Sequence, residues 1–537
     1  MDNSRLNNHK SIKYRLLNIV LMCGILLAAV AYGQKKQGYY IDEYYQYTLS
    51  NGTQLGIDIV PGKWNDTSRF KGQLVSEGEE NFHYGQMYEN TANDVHPFLS
   101  YMLIHFVSSV FSGVFSKWIG LSVNLILFIP VLLLTGGIAG KLSGNNETVT
   151  LLTVALFGLS PATISVVVLI RMYLLLALWT LLYVYIHISD LERDSLSIKK
   201  FLIPVFVCGF FGFLTQYFFV VIMFFVSFSY AFYLLVFRRR IRDTFIYGAT
   251  ALASLVCTLL VWRVSIYHIF KGYRGKGAFS QLTDASKWPD RFATHLKYLN
   301  TMVFGGTMLL FVIVLLVGLI LLVKKCRMIH YKKEMPVMDA LSIPTKGFIM
   351  VFISSLLSFL VLTQIALIDG ITCIRQYYIA YALFLILIPI GSYRTIKAVT
   401  GSEKTPTIMT LIFVCGILIL GHCQKNVLYL YEEEKAAKEY AADNPDSKVV
   451  VFQNDDGMYD TLIQQILLYP RVYCASVNEL NTANDKEIAS AEELLVYVPR
   501  DPDCKEECFE TIYKQNDKIS QAEHLWDTSV FSAYQLH

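Results

Sequence analysis

The chain has 537 residues, 54% of them hydrophobic and 17% charged, with 46 Lys and Arg against 43 Asp and Glu. Mean hydropathy is +0.42. Apolar runs of roughly 18 residues or more recur, the length that crosses hydrocarbon, which excludes an ordinary soluble globular protein. The formal charge of +3 is explained by basic loops that orient membrane spans and requires no nucleic-acid partner.

The first apolar run, Leu16–Gly33, follows Arg5, Lys10, Lys13 and Arg15. Ala29-Val30-Ala31 would serve as a cleavage site, but the run is long for a signal peptide and many spans follow, so an uncleaved anchor is expected. A long acidic loop then runs from Gln34 to about Trp118. Within it, Pro97–Trp118 reads as a helix lying in the membrane interface. The remaining spans are Ile119–Gly140, Val149–Ile170, Met172–Ile188, Phe201–Thr215, Phe218–Phe237, Phe245–Ile269, Met302–Val323, Phe348–Ile368, Tyr377–Ile390 and Ile408–Leu420.

Orientation follows from basic residues close to the spans. With Pro97–Trp118 interfacial, the N-terminus is cytoplasmic. Arg238, Arg239, Arg240 and Arg242, then Lys324, Lys325, Arg327, Lys332 and Lys333, then Arg394 and Lys397, all fall inside. Counting that segment as a span would place all three basic loops outside. The first loop, the corners at Arg171, Gln216-Tyr217 and Asp369–Gln376, the loop Phe270–Thr301 and the C-terminus are therefore expected on the extracytoplasmic side.

The polar tail contains two β-branched runs, Lys448–Phe452 and Glu493–Val498, and two helical patterns, Tyr459–Tyr469 and Lys505–Lys514. Cys474, Cys504 and Cys508 allow one disulfide there, with no pairing derivable from sequence. The expected fold is mainly α. It is a multispan membrane protein with about eleven transmembrane helices, interfacial helices in the first outer loop, and a small C-terminal extracytoplasmic α/β domain. Residues 1–422, including the loop 34–118, form the membrane domain and 423–537 the tail.

Five clusters carry the chemistry. Asp42-Glu43 follows the first span, where partial desolvation raises a carboxylate's basicity; a solvated pair in a helix's first turn is the bland alternative. In Asn93-Asp94-Val95-His96-Pro97, Asp94 suits a helix cap before Pro97, whereas His96 suits a hydrogen bond to phosphate. With nearby acids His96 could also bind a divalent metal, but no second metal ligand is evident, so a metal stays open and unsupported, and no certain cofactor is assigned. Arg171-Met172-Tyr173 and Arg375-Gln376-Tyr377-Tyr378 put arginines at helix ends, where snorkelling competes with recognition of a lipid-linked phosphate. Arg263 is a third such residue. Lys271-Gly272-Tyr273-Arg274-Gly275-Lys276-Gly277 reads as a basic, glycine-rich tight loop, matching neither a Walker nor a Rossmann spacing.

The order of these motifs from Leu16 to Tyr378 resembles the bacterial polytopic glycosyltransferases of the GT-C class, related to protein mannosyltransferases and aminoarabinose transferases. That resemblance implies Asp42 as the catalytic acid/base, with Glu43 beside it. It places Asp94 and His96 along the same cavity, His96 near the donor phosphate. Arg171 and Tyr173 match the group's Arg-Met-Tyr element, and Arg375 its late arginine before Tyr377. The donor implied is a polyprenyl-phosphate sugar in the lipid bilayer, and the acceptor a glycan, lipid or protein. Three features depart from the group. Pro97-Phe98 replaces a double proline, Val168-Leu169-Ile170 lacks an acid, and Gln216-Tyr217 stands where a His-Tyr pair is common.

The expected function is transfer of a sugar from that donor, with inversion, at the outer face of the bacterial inner membrane. Arg171, Arg375 and His96 would stabilise the departing phosphate. The alternatives are a polysaccharide polymerase or ligase with a diphosphate-linked donor, a lipid or sugar transporter, and a scaffold displaying the tail. A transporter would show internal repeats and charges near the membrane midplane. Here the charges gather at helix ends.

Overall fold

The computed structural model describes residues 2–53, 59–284, 286–333, 341–365, 370–402, 404–453, 462–478, 485–500, 504–528 and 530–537. In chain order, the first part contains α1 (Asp2–Lys35), α2 (Ile41–Asn51), β1 (Lys63–Asp66), α3 (Thr67–Gly72), α4 (Tyr84–Ala92) and α5 (Leu99–Val110). There follow α6 (Lys117–Ser143), α7 (Glu147–Leu159), α8 (Pro161–Val168), α9 (Tyr173–Asp190), α10 (Ile203–Thr215), α11 (Phe219–Phe232) and α12 (Ile241–Val261). Then come α13 (Val264–Phe270), α14 (Tyr273–Thr283), α15 (Trp288–Phe304), α16 (Met308–Lys333), α17 (Ile343–Ile365), α18 (Ile374–Thr400) and α19 (Lys404–Cys423). The tail holds α20 (Lys435–Asp443), β2 (Val449–Gln453), α21 (Ile463–Ile466), β3 (Arg471–Ser476), α22 (Lys486–Ala489), β4 (Leu494–Pro499), α23 (Lys505–Tyr513), β5 (Ala522–Asp527) and β6 (Phe531–Leu536).

Among the described residues, ten helices are long and apolar enough to cross a membrane, or eleven if the bent pair α7–α8 is one span. The expected Val149–Ile170 span is that pair, bent by 51°. Its cause is local. Pro161 has no N–H to continue the ladder, and Ser160 restarts the helix by accepting the Thr163 N–H at 3.2 Å. The 12-residue α5 is only about 18 Å long, well short of the roughly 30 Å hydrocarbon layer.

Three boundaries differ from the sequence reading. The expected span Phe245–Ile269 ends at Val261, and Val264–Phe270 is a separate helix. The expected span from Met302 begins at Met308, because Gly305 and Gly306 stop α15 with φ of 57° and 91°. The stretch Lys271–Gly277 is not a tight loop, since Gly275 and Gly277 lie inside α14. Gly275 is needed for proximity, because a Cβ there would strike the carbonyls of Ile269 and His268 at the end of α13. The last residues expected for the span Phe348–Ile368 (366–368) and the first of the helix Tyr459–Tyr469 (459–461) lie outside the described residues.

The chain divides into two compact units. The first comprises Met1–Tyr32, Ala92–Ser100 and Leu121–Leu428. At its centre lies α18, buried along most of its length, with Tyr377, Tyr378 and Tyr381 each no more than 1% exposed. Lipid offers no hydrophobic drive between helices, so small residues and hydrogen bonds hold them. A Cβ on Gly318 of α16 would collide with Thr395 of α18, and one on Gly209 of α10 with Ser254 of α12. Ser354 Oγ of α17 donates to the Phe225 carbonyl of α11 at 3.1 Å.

The second unit comprises Gly33–Thr91, Tyr101–Gly120 and Tyr429–His537. Its six-stranded sheet has the order β1-β3-β2-β4-β6-β5. The two expected strands are its parallel centre, with β2 pairing both β3 and β4 in parallel. Strand β1 comes from the first loop and pairs antiparallel with β3, so part of that loop shares a sheet with the tail. Ala437 and Ala441 of α20 pack on one sheet face, and Cys508, Phe509 and Ile512 of α23 on the other. The disulfide allowed by sequence is not formed. Cys474 packs on the α20 face, away from Cys504 and Cys508, whose sulfurs stand 3.9 Å apart as thiols.

The same unit fixes the start of α2. Glu43 Oε2 accepts the Tyr40 N–H at 2.6 Å and the Lys36 ammonium at 2.9 Å. Lys36 also donates to the Tyr429 carbonyl at 2.7 Å, and both charged side chains are fully buried. Glu43→Gln leaves that ammonium buried without its counter-charge. It is expected to cost about 3–5 kcal/mol, read as a lower melting temperature in detergent. Adding Lys36→Met to Glu43→Gln should restore much of the loss, because the amide oxygen still accepts from Tyr40. An unchanged melting temperature in the single variant would show that the pair does not hold this helix.

Candidate active site

The two acids of Asp42-Glu43 have different fates. Glu43 is spent on Lys36 and Tyr40. Asp42, one residue earlier in the first turn of α2, is half-buried. Adjacent helical residues point about 100° apart, so locking one carboxylate inward turns the other elsewhere.

In the first unit the Asp94 turn is a polar cluster. His96 Nδ1 and Asp94 Oδ2 are 2.9 Å apart, each side chain about one-quarter exposed or less. Burial pushes the Asp94 carboxyl up. The His96 hydrogen bond and charge, the Val95 backbone and the Arg171 guanidinium outweigh it and hold the group at about 2. The carboxylate is thus ionised and accepts, which puts the imidazole hydrogen on Nδ1 and leaves Nε2 on the other side of the ring. Arg171, 6% exposed, sits in the irregular break between α8 and α9. Asn124 Nδ2 shapes that break by donating to the carbonyls of Val167 and Leu169 at 2.9 and 2.7 Å. A guanidinium within electrostatic reach of a carboxylate-oriented imidazole is chemistry suited to phosphate oxygens.

The turn is tethered by a chain of hydrogen bonds whose directions are forced. A carbonyl can only accept, so His268 Nε2–H donates to the Ala92 carbonyl at 2.9 Å. His268 Nδ1 must then accept from the Tyr217 hydroxyl at 2.9 Å. Tyr217 in turn accepts from Trp262 Nε1–H at 3.0 Å. Burial pushes the His268 imidazole below its usual range, against the carbonyl of Ala92 and the charge of Asp94, and so favours the neutral ring this relay needs. The Phe98 ring packs on Trp262 with centroids 5.1 Å apart. The break after Val261 therefore has a use: it turns Trp262 and His268 toward the Asp94 segment. Neither residue stood out in the sequence, where both sit in apolar context.

The other expected site residues fall as follows. Tyr173 opens α9 and is buried. Arg375, 3% exposed, lies in the first turn of α18 and donates from Nη1 to the Thr372 carbonyl at 2.7 Å. A cation there adds to the positive end of the helix dipole. Tyr378, one turn on, donates to Thr163 Oγ1 of α8 at 2.9 Å, tying α18 to the helix that ends beside Arg171. Gln216 serves the backbone, its Oε1 accepting the Phe218 N–H at the end of α10. Arg274 lies over the Tyr273 ring at 5.2 Å and is not joined to the Asp94 cluster by any hydrogen bond among the described residues. Arg263 is exposed. Among the described residues, no group of three or more His, Cys, Asp or Glu side chains is placed to hold a metal ion.

No protein-family profile matches the sequence, and no curated protein is similar to it in sequence. Among solved structures, the chain is similar to ArnT from Cupriavidus metallidurans bound to undecaprenyl phosphate. The identity is 9% and the TM-score 0.50, with 96% of this chain and 97% of that one covered. It is also similar to ArnT from the same organism in the apo state, at 9% identity and a TM-score of 0.46, with 98% of each chain covered. The likeness runs over almost the whole length, multispan helices and tail together. The chain has the fold of ArnT, an aminoarabinose transferase of the GT-C class.

Proposed function

We propose that this protein is a membrane glycosyltransferase whose donor is a sugar on a polyprenyl phosphate. The observation that carries this reading is the grouping of buried Arg171 with the Asp94–His96 pair, at a helix break, in a chain with the ArnT fold. ArnT was solved with undecaprenyl phosphate bound, and a guanidinium with an oriented imidazole is chemistry that recognises such a phosphate.

In this reading Asp42 takes the proton of the acceptor's hydroxyl or amine as that atom attacks the anomeric carbon, with inversion. The bond from the anomeric carbon to the lipid-phosphate oxygen breaks, and the phosphate leaves with its electron pair. Arg171, Arg375 and His96 stabilise the charge that builds on it, Asp94 orienting His96 through Nδ1. Glu43 acts through structure, by fixing the turn that presents Asp42. Tyr217 and His268 hold the Asp94 turn in place. The reaction is expected on the extracytoplasmic side of a bacterial inner membrane.

Asp42→Asn should leave the melting temperature near that of the native chain and abolish transfer, read by mass spectrometry as a missing sugar on envelope glycolipids or glycans. Full activity in that variant rejects the assignment. Arg171→Gln should slow release of polyprenyl phosphate roughly 10²–10³-fold, the range for losing one donor to a developing oxyanion. Asp94→Asn should act more weakly and in the same direction, since its Oδ1 still accepts from His96. A rate unchanged in Arg171→Gln would detach the guanidinium from the leaving group.

A further inference from the structure

The backbone at residues 34–37, where α1 gives way to polar chain, gathers three lysines. Lys117 Nζ donates to the Lys36 carbonyl and, at 3.2 Å, to the Gln34 carbonyl. Lys438 Nζ donates to the Gln37 carbonyl at 2.6 Å. Lys36 turns inward to Glu43. Its charge is thus offset, and the other two differ from it. Among the described residues, neither Lys117 nor Lys438 forms an ion pair with a carboxylate. An acid within electrostatic reach, Glu434, is occupied by the Gln465 amide. Burial and the neighbouring Glu433 push its carboxyl up to about 7, so it offers only part of a charge at neutral pH.

Both lysines are half-buried and keep N–H donors beyond those given to carbonyls, since an ammonium has three. Carbonyls fix the positions of the two ammoniums without neutralising them. Their level along the chain is also set. Lys36 follows the apolar run that ends at Lys35, and Lys117 opens the next one. The Lys117 ammonium stands 5.7 Å from the Trp118 ring, and Trp118 is 38% exposed. Tryptophan at the polar end of a span belongs at the headgroup level of a bilayer.

We propose that Lys117 and Lys438 bind the phosphate group of an anionic lipid at the membrane surface, beside the residues where α1 ends and α6 begins. A basic side chain near a charged membrane surface contributes roughly a fivefold change in affinity, so the pair should contribute about twenty-fivefold. Neither lysine is among the groups assigned to glycosyl transfer, and the test does not measure that reaction.

The test uses the full chain in nanodiscs of phosphatidylcholine with phosphatidylglycerol, with native mass spectrometry of the lipids retained. The native chain should retain phosphatidylglycerol over phosphatidylcholine. Lys117→Gln with Lys438→Gln should lose that preference, and the paired Arg substitutions should keep it. Should the double variant fail to fold, Lys438→Gln alone, at a half-exposed side chain, should lose about fivefold. Equal retention by native and Gln chains overturns the proposal. So does a melting temperature raised by inorganic phosphate at matched ionic strength in the native chain alone, without any preference for phosphatidylglycerol. That outcome would make the ligand a soluble phosphate.

Discussion

The Lys36–Glu43 ion pair decides what the first loop can do. It lies immediately past the first apolar helix, is fully buried, and joins two segments close in sequence to a third, through the Tyr429 carbonyl, that is far away. Burying two charges is costly unless their remaining donors and acceptors are also satisfied. Here Glu43 takes the Tyr40 N–H and Lys36 takes a carbonyl, so the turn into α2 has one geometry. That geometry makes Glu43 part of the scaffold, one residue after Asp42 in the same helical turn.

The same accounting governs the helical unit. Away from water, each interruption of a helix exposes backbone groups that must find partners. At several breaks among the described residues a named side chain supplies them. Ser160 restarts α8, and Asn124 takes the carbonyls at its end. Gln216 receives the Phe218 amide, and Arg375 the Thr372 carbonyl as donor. The breaks are also where Arg171, Tyr217 and Trp262 leave the regular helical faces. The same irregularities that satisfy the backbone also place these polar side chains at helix ends.

Much of the fold was legible in the sequence. Eleven expected spans correspond to ten membrane-length helices and one bent pair, and both expected tail strands are present. What was missed has particular causes. Strand β1 is four residues long and polar, an edge strand defined by its partner β3 and not by its own composition. The separation of α13 from α12 depends on the Trp262 indole reaching Tyr217, a contact with no local signature. Gly272-Tyr273-Arg274-Gly275 looked like a loop because glycine usually ends a helix, yet the close approach of α13 requires glycine within one.

The candidate site was legible only as a set of residues. Asp94, His96 and Arg171 could be picked out because polar groups at span ends are costly and rare. Their relation could not be, nor could the tethering role of His268 or the burial of Glu43 against Lys36. By itself the sequence determined the number, length and placement of the membrane helices, because hydropathy and the thickness of hydrocarbon are local constraints that each segment meets alone. Only the tertiary structure decided which polar side chains are consumed in holding the chain together. Burial, counter-charge and hydrogen-bond partners come from residues up to several hundred positions away.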